Sequence, residues 1–87
     1  MEDTGEWVKR NEFPSGIVGV LSKYGINKTK DFSKKTPTEI NNLLASPLIK
    51  GVFDDSPDGQ IKHIEFGAAV IAQYTKVNHK LYLFLFI

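Results

Sequence analysis

The sequence predicts an all-α domain made of two paired helix-loop-helix units. Three observations support this prediction. Apolar residues recur at intervals of three and four, as on one face of a helix. Helix-start signals precede two of these stretches, and an acidic, glycine-containing segment, residues 54–65, separates the last two. With 87 residues the chain has room for one small domain, predicted to cover residues 1–77, followed by an apolar C-terminal segment, residues 78–87.

The first predicted unit covers about residues 4–25. Asp3 followed three residues later by Glu6 is a capping arrangement, so we expect a helix from about residue 4 to residue 11 that turns Trp7 toward the core. Pro14 lacks a backbone N–H, and the Ser-Gly pair after it favours a turn that ends this helix. A second short helix, closed by a glycine at residue 25, is predicted by apolar residues at helical spacing: Ile17, Val18, Val20, Leu21 and Tyr24.

Residues 26–36 are predicted to be a solvated basic linker between the two units. Four lysines in this stretch stand against a single acid, Asp31. Charged runs of this kind usually remain in water. The alternative interpretation is a patch that binds an anionic membrane surface or an acidic partner.

The second predicted unit covers residues 37–77. Thr36, Pro37 and Glu39 form the clearest helix start in the chain, with a threonine N-cap, proline at the first helical position and glutamate at the third. Apolar residues then continue at helical spacing toward the acidic segment. Because residues 46–47 read Ser-Pro, we expect a kink or two short helices here. The helix after the acidic segment is predicted from about residue 63 to residue 76.

Residues 54–65 match the twelve-residue calcium loop that joins two helices. Phe53 and Phe66 bracket the segment as helix anchors. Gly59 stands at the sixth position, where the chain turns sharply and φ > 0 is accessible without a Cβ. Ile61 stands at the eighth position, where paired loops join in a short two-stranded ribbon.

Calcium ligands in such loops are oxygen atoms at defined positions. The sequence therefore predicts one Ca²⁺ site, which we expect to be weak because Pro57 restricts the backbone and Lys62 cannot ligate. The alternative is a metal-free structural remnant. The predicted ligands are Asp54, Ser56, Asp58, the backbone carbonyl of Gln60, and both carboxylate oxygens of Glu65.

The composition excludes several functional classes. A net charge of +1 gives no nucleic-acid signature. Because the chain has no cysteine, disulfides and thiolate chemistry are excluded, and a reducing, cytoplasmic location is expected. The longest apolar run, residues 81–87, is far shorter than the roughly 20 residues that span a bilayer. His63 and His79 stand apart from any catalytic partner, so we expect a non-enzymatic protein.

The acidic segment, together with Trp7 and the Phe-Pro-Ser-Gly sequence at residues 13–16, resembles the EF-hand superfamily. The wider match is to its recoverin-like neuronal calcium sensors, including the guanylate-cyclase-activating proteins, through residues 66–70 and 76–81. Residues 46–48, Ser-Pro-Leu, also resemble calcineurin-B-like proteins, a second branch.

The resemblance implies an N-terminal lobe of two EF-hands. Residues 11–22 would be a degenerate, metal-free first loop, and Val18 would pair with Ile61 across the two loops. Residues 78–87 would begin a truncated third hand. We expect that the chain can self-associate through this apolar segment.

The resemblance also implies a calcium-binding regulatory protein that binds a protein target, either an amphipathic helix or a membrane-associated enzyme. Calcium would open a groove for that target. The alternative function is a metal-free interaction module that binds its partner constitutively. The residues expected to line the groove are Trp7, Val20, Leu21, Leu44, Val70 and Tyr74.

Overall fold

The computed structural model describes residues 2–77, which form an all-α fold, as predicted. Within this part of the chain there is no β-strand, and a single antiparallel bridge joins Asp3 and Lys28. The prediction for residues 78–87 lies outside the described residues. In chain order the helices are α1 (Thr4–Arg10), α2 (Gly16–Lys23), a 3₁₀ helix (Thr29–Lys34), α3 (Pro37–Leu44), α4 (Pro47–Val52) and α5 (Pro57–Val77). None of the described helices is both long and apolar enough to cross a bilayer.

The two short helices predicted at the start of the chain are both present. Asp3 caps α1, because its Oδ1 accepts a hydrogen bond of 2.8 Å from the Glu6 backbone N–H. The chain leaves α2 through Gly25, whose φ of +75° is readily adopted only without a Cβ. Because α2 begins at Gly16, the loop expected over residues 11–22 is wrong in its second half, which is helical. The Asp3 cap thus fixes the start of α1, whereas α2 begins without a side-chain cap.

The break between α3 and α4 is confirmed. The Thr36 Oγ1 accepts from the Glu39 N–H at 3.1 Å, and the Glu39 carboxylate accepts from the Thr36 N–H at 3.0 Å, which is the predicted capping box. Ser46 then caps α4 by accepting from the Leu48 N–H at 3.2 Å, and Pro47 occupies its first position. The segment before residue 54 is therefore two short helices.

Residues 26–36 are not the solvated linker that the sequence predicted. They contain the 3₁₀ helix, which packs against α5, and Phe32 in its centre is fully buried. The start of this segment is tied to the N-terminus, because the Thr4 N–H donates to the Asn27 carbonyl at 3.0 Å and the Thr29 N–H donates to the Glu2 carbonyl at 3.2 Å. Burial of one aromatic ring outweighs the hydration of the surrounding lysines, whose charged ends stay in water.

Asp31 organises the start of the 3₁₀ helix. Its carboxylate accepts hydrogen bonds of 3.0 Å from the backbone N–H groups of Asn27 and Lys28. These bonds, the Asn27 bond first, hold the pKa of Asp31 below its usual value. The ionised carboxylate is the form that stabilises the turn.

We expect stability to fall in acid partly through Asp31. Because its pKa is lower in the folded state than in the unfolded chain, its contribution is fully present above the unfolded value of about 4 and is lost as the pH falls through the folded value. Asp31→Asn should therefore destabilise the protein at pH of about 7, and the difference from the natural protein should shrink toward pH of about 3. Urea unfolding at several pH values measures this. A difference that stays constant with pH would contradict the assignment.

The core is organised around Trp7, which is almost completely buried. Its ring centroid lies 5.2 Å from that of Phe32, 5.5 Å from Phe13 and 6.0 Å from Phe66. Tilted and edge-to-face pairs at these distances are favourable geometries for aromatic rings. The cluster therefore joins α1, the 3₁₀ helix and α5, and it determines which face of α5 points inward.

Candidate functional site

The acidic segment, residues 54–65, is mostly helical. The exiting helix was predicted from about residue 63, but α5 begins at Pro57. Ser56 acts as its N-cap, because the Ser56 Oγ accepts a hydrogen bond of 3.0 Å from the Gly59 N–H. Proline at the first helical position is already compatible with helical φ. Ser56 and Pro57 are therefore good residues for starting a helix, although Pro57 weakens a calcium loop.

This helix changes the arrangement of the predicted ligands. Gly59 lacks the expected positive φ, since Gly25 is the glycine with positive φ among the described residues. The Gln60 carbonyl lies within α5, where carbonyls accept from the residue four positions on. Asp58 and Glu65 are separated by about 10.5 Å of helical rise. The Glu65 carboxylate instead lies 3.3 Å from the Lys62 Nζ.

Asp54 also has local partners. Its carboxylate accepts from both the hydroxyl and the backbone N–H of Ser56, the latter at 2.9 Å. These bonds, chiefly that from the hydroxyl, hold the pKa of Asp54 below its usual value. No group of three or more His, Cys, Asp or Glu side chains is placed to hold a metal ion among residues 2–77. The Ca²⁺ site at residues 54–65 stays a prediction.

The paired-loop ribbon is a further expectation that the structure corrects. Val18 lies in α2 and Ile61 lies in α5, so neither is extended. A ribbon requires extended backbone at both residues. The bridge that the described residues do contain, between Asp3 and Lys28, closes the N-terminal part of the chain instead.

A cleft of about 290 Å³ lies beside the start of α5. It brings Glu12, from the turn after α1, close to the acidic segment, which sequence spacing did not predict. The Lys62 Nζ lies 4.0 Å from the Glu12 carboxylate, so a cation stands among these acids. This cleft carries mixed charge, and it is lined by Glu12, Phe13, Pro14, Val52, Phe53, Asp54, Asp58, Gly59 and Lys62.

His63 packs against an aromatic side chain. Its ring is stacked on Phe53, with 4.9 Å between centroids and an interplanar angle of 6°. Phe53 and Phe66, the predicted anchors on either side of the acidic segment, are both buried, and their rings lie 5.7 Å apart. His79 lies outside the described residues. His63 is therefore half-buried and packs its ring against that of Phe53.

The clearest candidate for a binding surface is the side of α5 that faces away from the core. Phe66 and Val70 are fully buried, whereas Ile64 is 74% exposed, Ile61 52% and Ile71 42%. We call the exposed residues Ile61, Ile64, Ala68 and Ile71 the outer stripe. Their spacing of three, four and three residues places them on one helix face. This spacing is visible in the sequence, but the predicted calcium loop placed Ile61 outside a helix.

A shallow groove of about 180 Å³ adjoins the outer stripe and is lined by Leu44, His63, Ile64 and Gly67. Leu44 is a residue that the sequence assigned to a target-binding groove. Of the other residues in that predicted groove, Trp7, Leu21 and Val70 are core residues with almost no exposed surface, and Val20 and Tyr74 pack against the core. The large apolar side chains that α5 exposes therefore lie on the side away from Val70, which was expected to line the groove.

Comparison of the chain with protein-family models, with curated proteins and with solved structures found no match.

Proposed function

We propose that this protein is a protein-binding module whose outer stripe binds an amphipathic helix of a partner without requiring calcium. The observation that carries the proposal is the exposure of three isoleucines at helical spacing on a 21-residue helix. Apolar residues that alternate at three and four are the pattern by which one helix packs against another. The outer stripe extends this pattern over more than two turns.

Burial of the outer stripe against a partner helix would be favourable in free energy. A helix that is apolar on opposite sides is normally buried on both. Transfer of each isoleucine from water to a packed interface is worth on the order of 1.5–3 kcal/mol when burial is complete. A partner helix seated on Ile61, Ile64 and Ile71 would therefore gain a useful part of the affinity needed for specific binding. The β-branched side chains lose little rotamer freedom when they pack.

We favour calcium-independent binding because α5 already occupies most of residues 54–65. Calcium sensing by an EF-hand lobe would require these residues to leave the helix and converge on one ion. Such a change would have to break the bonds from Gly59 to Ser56 and from Lys62 to Glu65. The EF-hand relationship and the sensor function stay predictions, and a calcium titration tests them.

The outer stripe is tested with a fluorescein-labelled amphipathic helical peptide that carries leucine at alternating intervals of three and four. We expect the natural protein to bind it, and Ile64→Glu combined with Ile71→Glu to bind it at least about tenfold more weakly, because a carboxylate buried without a partner is costly. Fluorescence anisotropy measures both. Leu48→Glu is the matched control, since Leu48 is an apolar residue of α4 that is 49% exposed and lies outside the stripe.

Three results would overturn the proposal. One is an unchanged affinity in the double variant. Another is equal weakening by Leu48→Glu. The last is a natural protein that sediments as a dimer dissociated by Ile64→Glu and Ile71→Glu, because the occupant of the stripe would then be a second copy of the chain.

Calcium dependence is measured with the same peptide. We expect equal peptide affinity in millimolar Ca²⁺ and in EDTA, and no binding heat when Ca²⁺ is added in a calorimeter. If Ca²⁺ instead releases heat that Glu65→Gln abolishes, the calcium loop forms and the sensor function is favoured. Glu12→Gln serves as the control, since Glu12 lies in the same cleft but outside the predicted ligand set.

A further inference from the structure

The longest apolar run of the chain follows α5 after three polar residues. Residues 81–87 read Leu-Tyr-Leu-Phe-Leu-Phe-Ile and carry no charged side chain. A run of this composition is unfavourable in water and is normally covered by other apolar surface. On α5 the outer stripe has the same need, because no residue among 2–77 covers Ile64, which is 74% exposed. Two apolar surfaces without cover therefore lie next to each other in one chain.

The length of this run matches the length of the outer stripe. An α-helix rises about 1.5 Å per residue, so Ile71 lies about 9 Å and Ile61 about 24 Å before Val77, where α5 ends. An extended chain advances about 3.3 Å per residue, so residues 81–87 would span about 23 Å. Residues 77–80 are enough to reverse the direction, because a β-turn does so within about four residues. The run can therefore pass back along the whole stripe.

The groove beside the outer stripe has room for one side chain of this run. Its volume is about 180 Å³, and Ile64 and Gly67 are among its lining residues. A Cβ at Gly67 would meet no atom within 4 Å, so the space above this glycine is open. An apolar cavity of about 150 Å³ holds benzene, which is the size of one phenylalanine ring. The run supplies aromatic rings at residues 82, 84 and 86.

We propose that residues 81–87 fold back onto the outer stripe, so that a partner helix must displace them in order to bind. The inference rests on the proposed function, because it assigns a regulator to the same surface. The run has an advantage over a free partner or a second copy, because a short connection gives it an effective concentration on the order of millimolar. It lowers the apparent affinity for a partner in proportion to the fraction of molecules in which the stripe is free.

Leu83→Asp combined with Phe86→Asp tests the proposal in the full chain. Alternate residues of an extended chain point to opposite sides, so one of the two carboxylates meets α5 whichever side faces it. We expect this double variant to bind the fluorescein-labelled amphipathic helical peptide about tenfold more tightly than the natural protein, as for a stripe that is covered in about nine-tenths of the natural molecules. Lys80→Asp is the matched control, since it makes the same change in net charge outside the apolar run.

Methyl NMR signals give a readout that does not depend on the peptide. The signals of Ile64 and Ile71 should move in the double variant and stay in place in Lys80→Asp. Those of Ile17 and Ile49, which are fully buried, should stay in place in both variants. Unmoved Ile64 and Ile71 signals together with an unchanged peptide affinity would overturn the proposal. Peptide binding by both proteins would in that case still support the proposed function.

Other results would also decide the matter. Tighter binding by Lys80→Asp to the same extent would overturn the proposal, because net charge would then explain the effect. Signals of Ile64 and Ile71 that move with protein concentration would show that a second copy provides the cover. Loss of the Ile17 and Ile49 signals in the double variant would show that the run belongs to the core and is not displaced. If Ile64 and Ile71 shift but neither protein binds the peptide, the run covers the stripe and the proposed function is wrong.

Discussion

Phe32→Ala is expected to lower the free energy of unfolding by about 3–5 kcal/mol, as for other fully buried aromatic residues. Phe32 has no exposed surface, and its ring packs against Trp7 at 5.2 Å. Domains of this size have total stabilities on the order of 5–15 kcal/mol, so the loss would leave a marginally folded protein. The expected loss of stability is large because the cavity left by the ring lies where α1, the 3₁₀ helix and α5 meet.

The measurement is a urea titration followed by circular dichroism and by the fluorescence of Trp7, the single tryptophan. Lys30→Ala is the control, because Lys30 is an exposed residue in the same 3₁₀ helix. We expect it to change stability by less than about 0.5 kcal/mol. If Phe32→Ala has an equally small effect, residues 26–36 form the solvated linker that the sequence suggested.

Gly59→Ala and Gly67→Ala are expected to have opposite effects, although both glycines lie within α5. Alanine is favoured over glycine in a helix interior by about 0.5–1 kcal/mol. A Cβ at Gly67 would meet no atom within 4 Å, so Gly67→Ala should stabilise by about that amount. A Cβ at Gly59 would overlap the carbonyl and carboxylate oxygens of Asp54. Because one of these is a backbone atom, residues 54–56 would have to move.

We expect the overlap at Gly59 to cost about 1–3 kcal/mol, which exceeds the gain in helix propensity. The net effect of Gly59→Ala should therefore be destabilising, whereas Gly67→Ala raises stability. Thermal and urea unfolding of the two variants under the same conditions make the comparison. Equal stabilisation by both would show that residues 54–56 do not fold back on the first turn of α5.

The sequence predicted the local features of the fold well. Asp3, Thr36 and Ser46 stand at the N-caps of α1, α3 and α4, and Gly25 follows α2 with positive φ. Each of these signals acts over three or four residues through a hydrogen bond or a single torsion angle. Such interactions depend little on the rest of the chain, so they could be read from the sequence directly.

The candidate site was less predictable, because one segment supports two local structures. Ser56 and Pro57 start a helix, whereas Asp54, Asp58 and Gly59 match the calcium loop. Residue types at fixed positions cannot decide between these structures. In the folded chain Phe66 and Val70 are buried on the inner face of α5, and the helix extends from them back to Pro57. Its continuation places Ile61 and Ile64 in one exposed row.

By itself, the sequence determined the all-α class, the helix caps and the Ser-Pro break, since these depend on neighbouring residues. Only the tertiary structure decided that Phe32 is buried, that α5 begins at Pro57 and that the outer stripe faces water. These features depend on contacts between residues far apart in the chain, above all the packing of Phe32 and Phe66 against Trp7. The physical reason is that burial of apolar surface is a property of the assembled core, which local patterns do not specify.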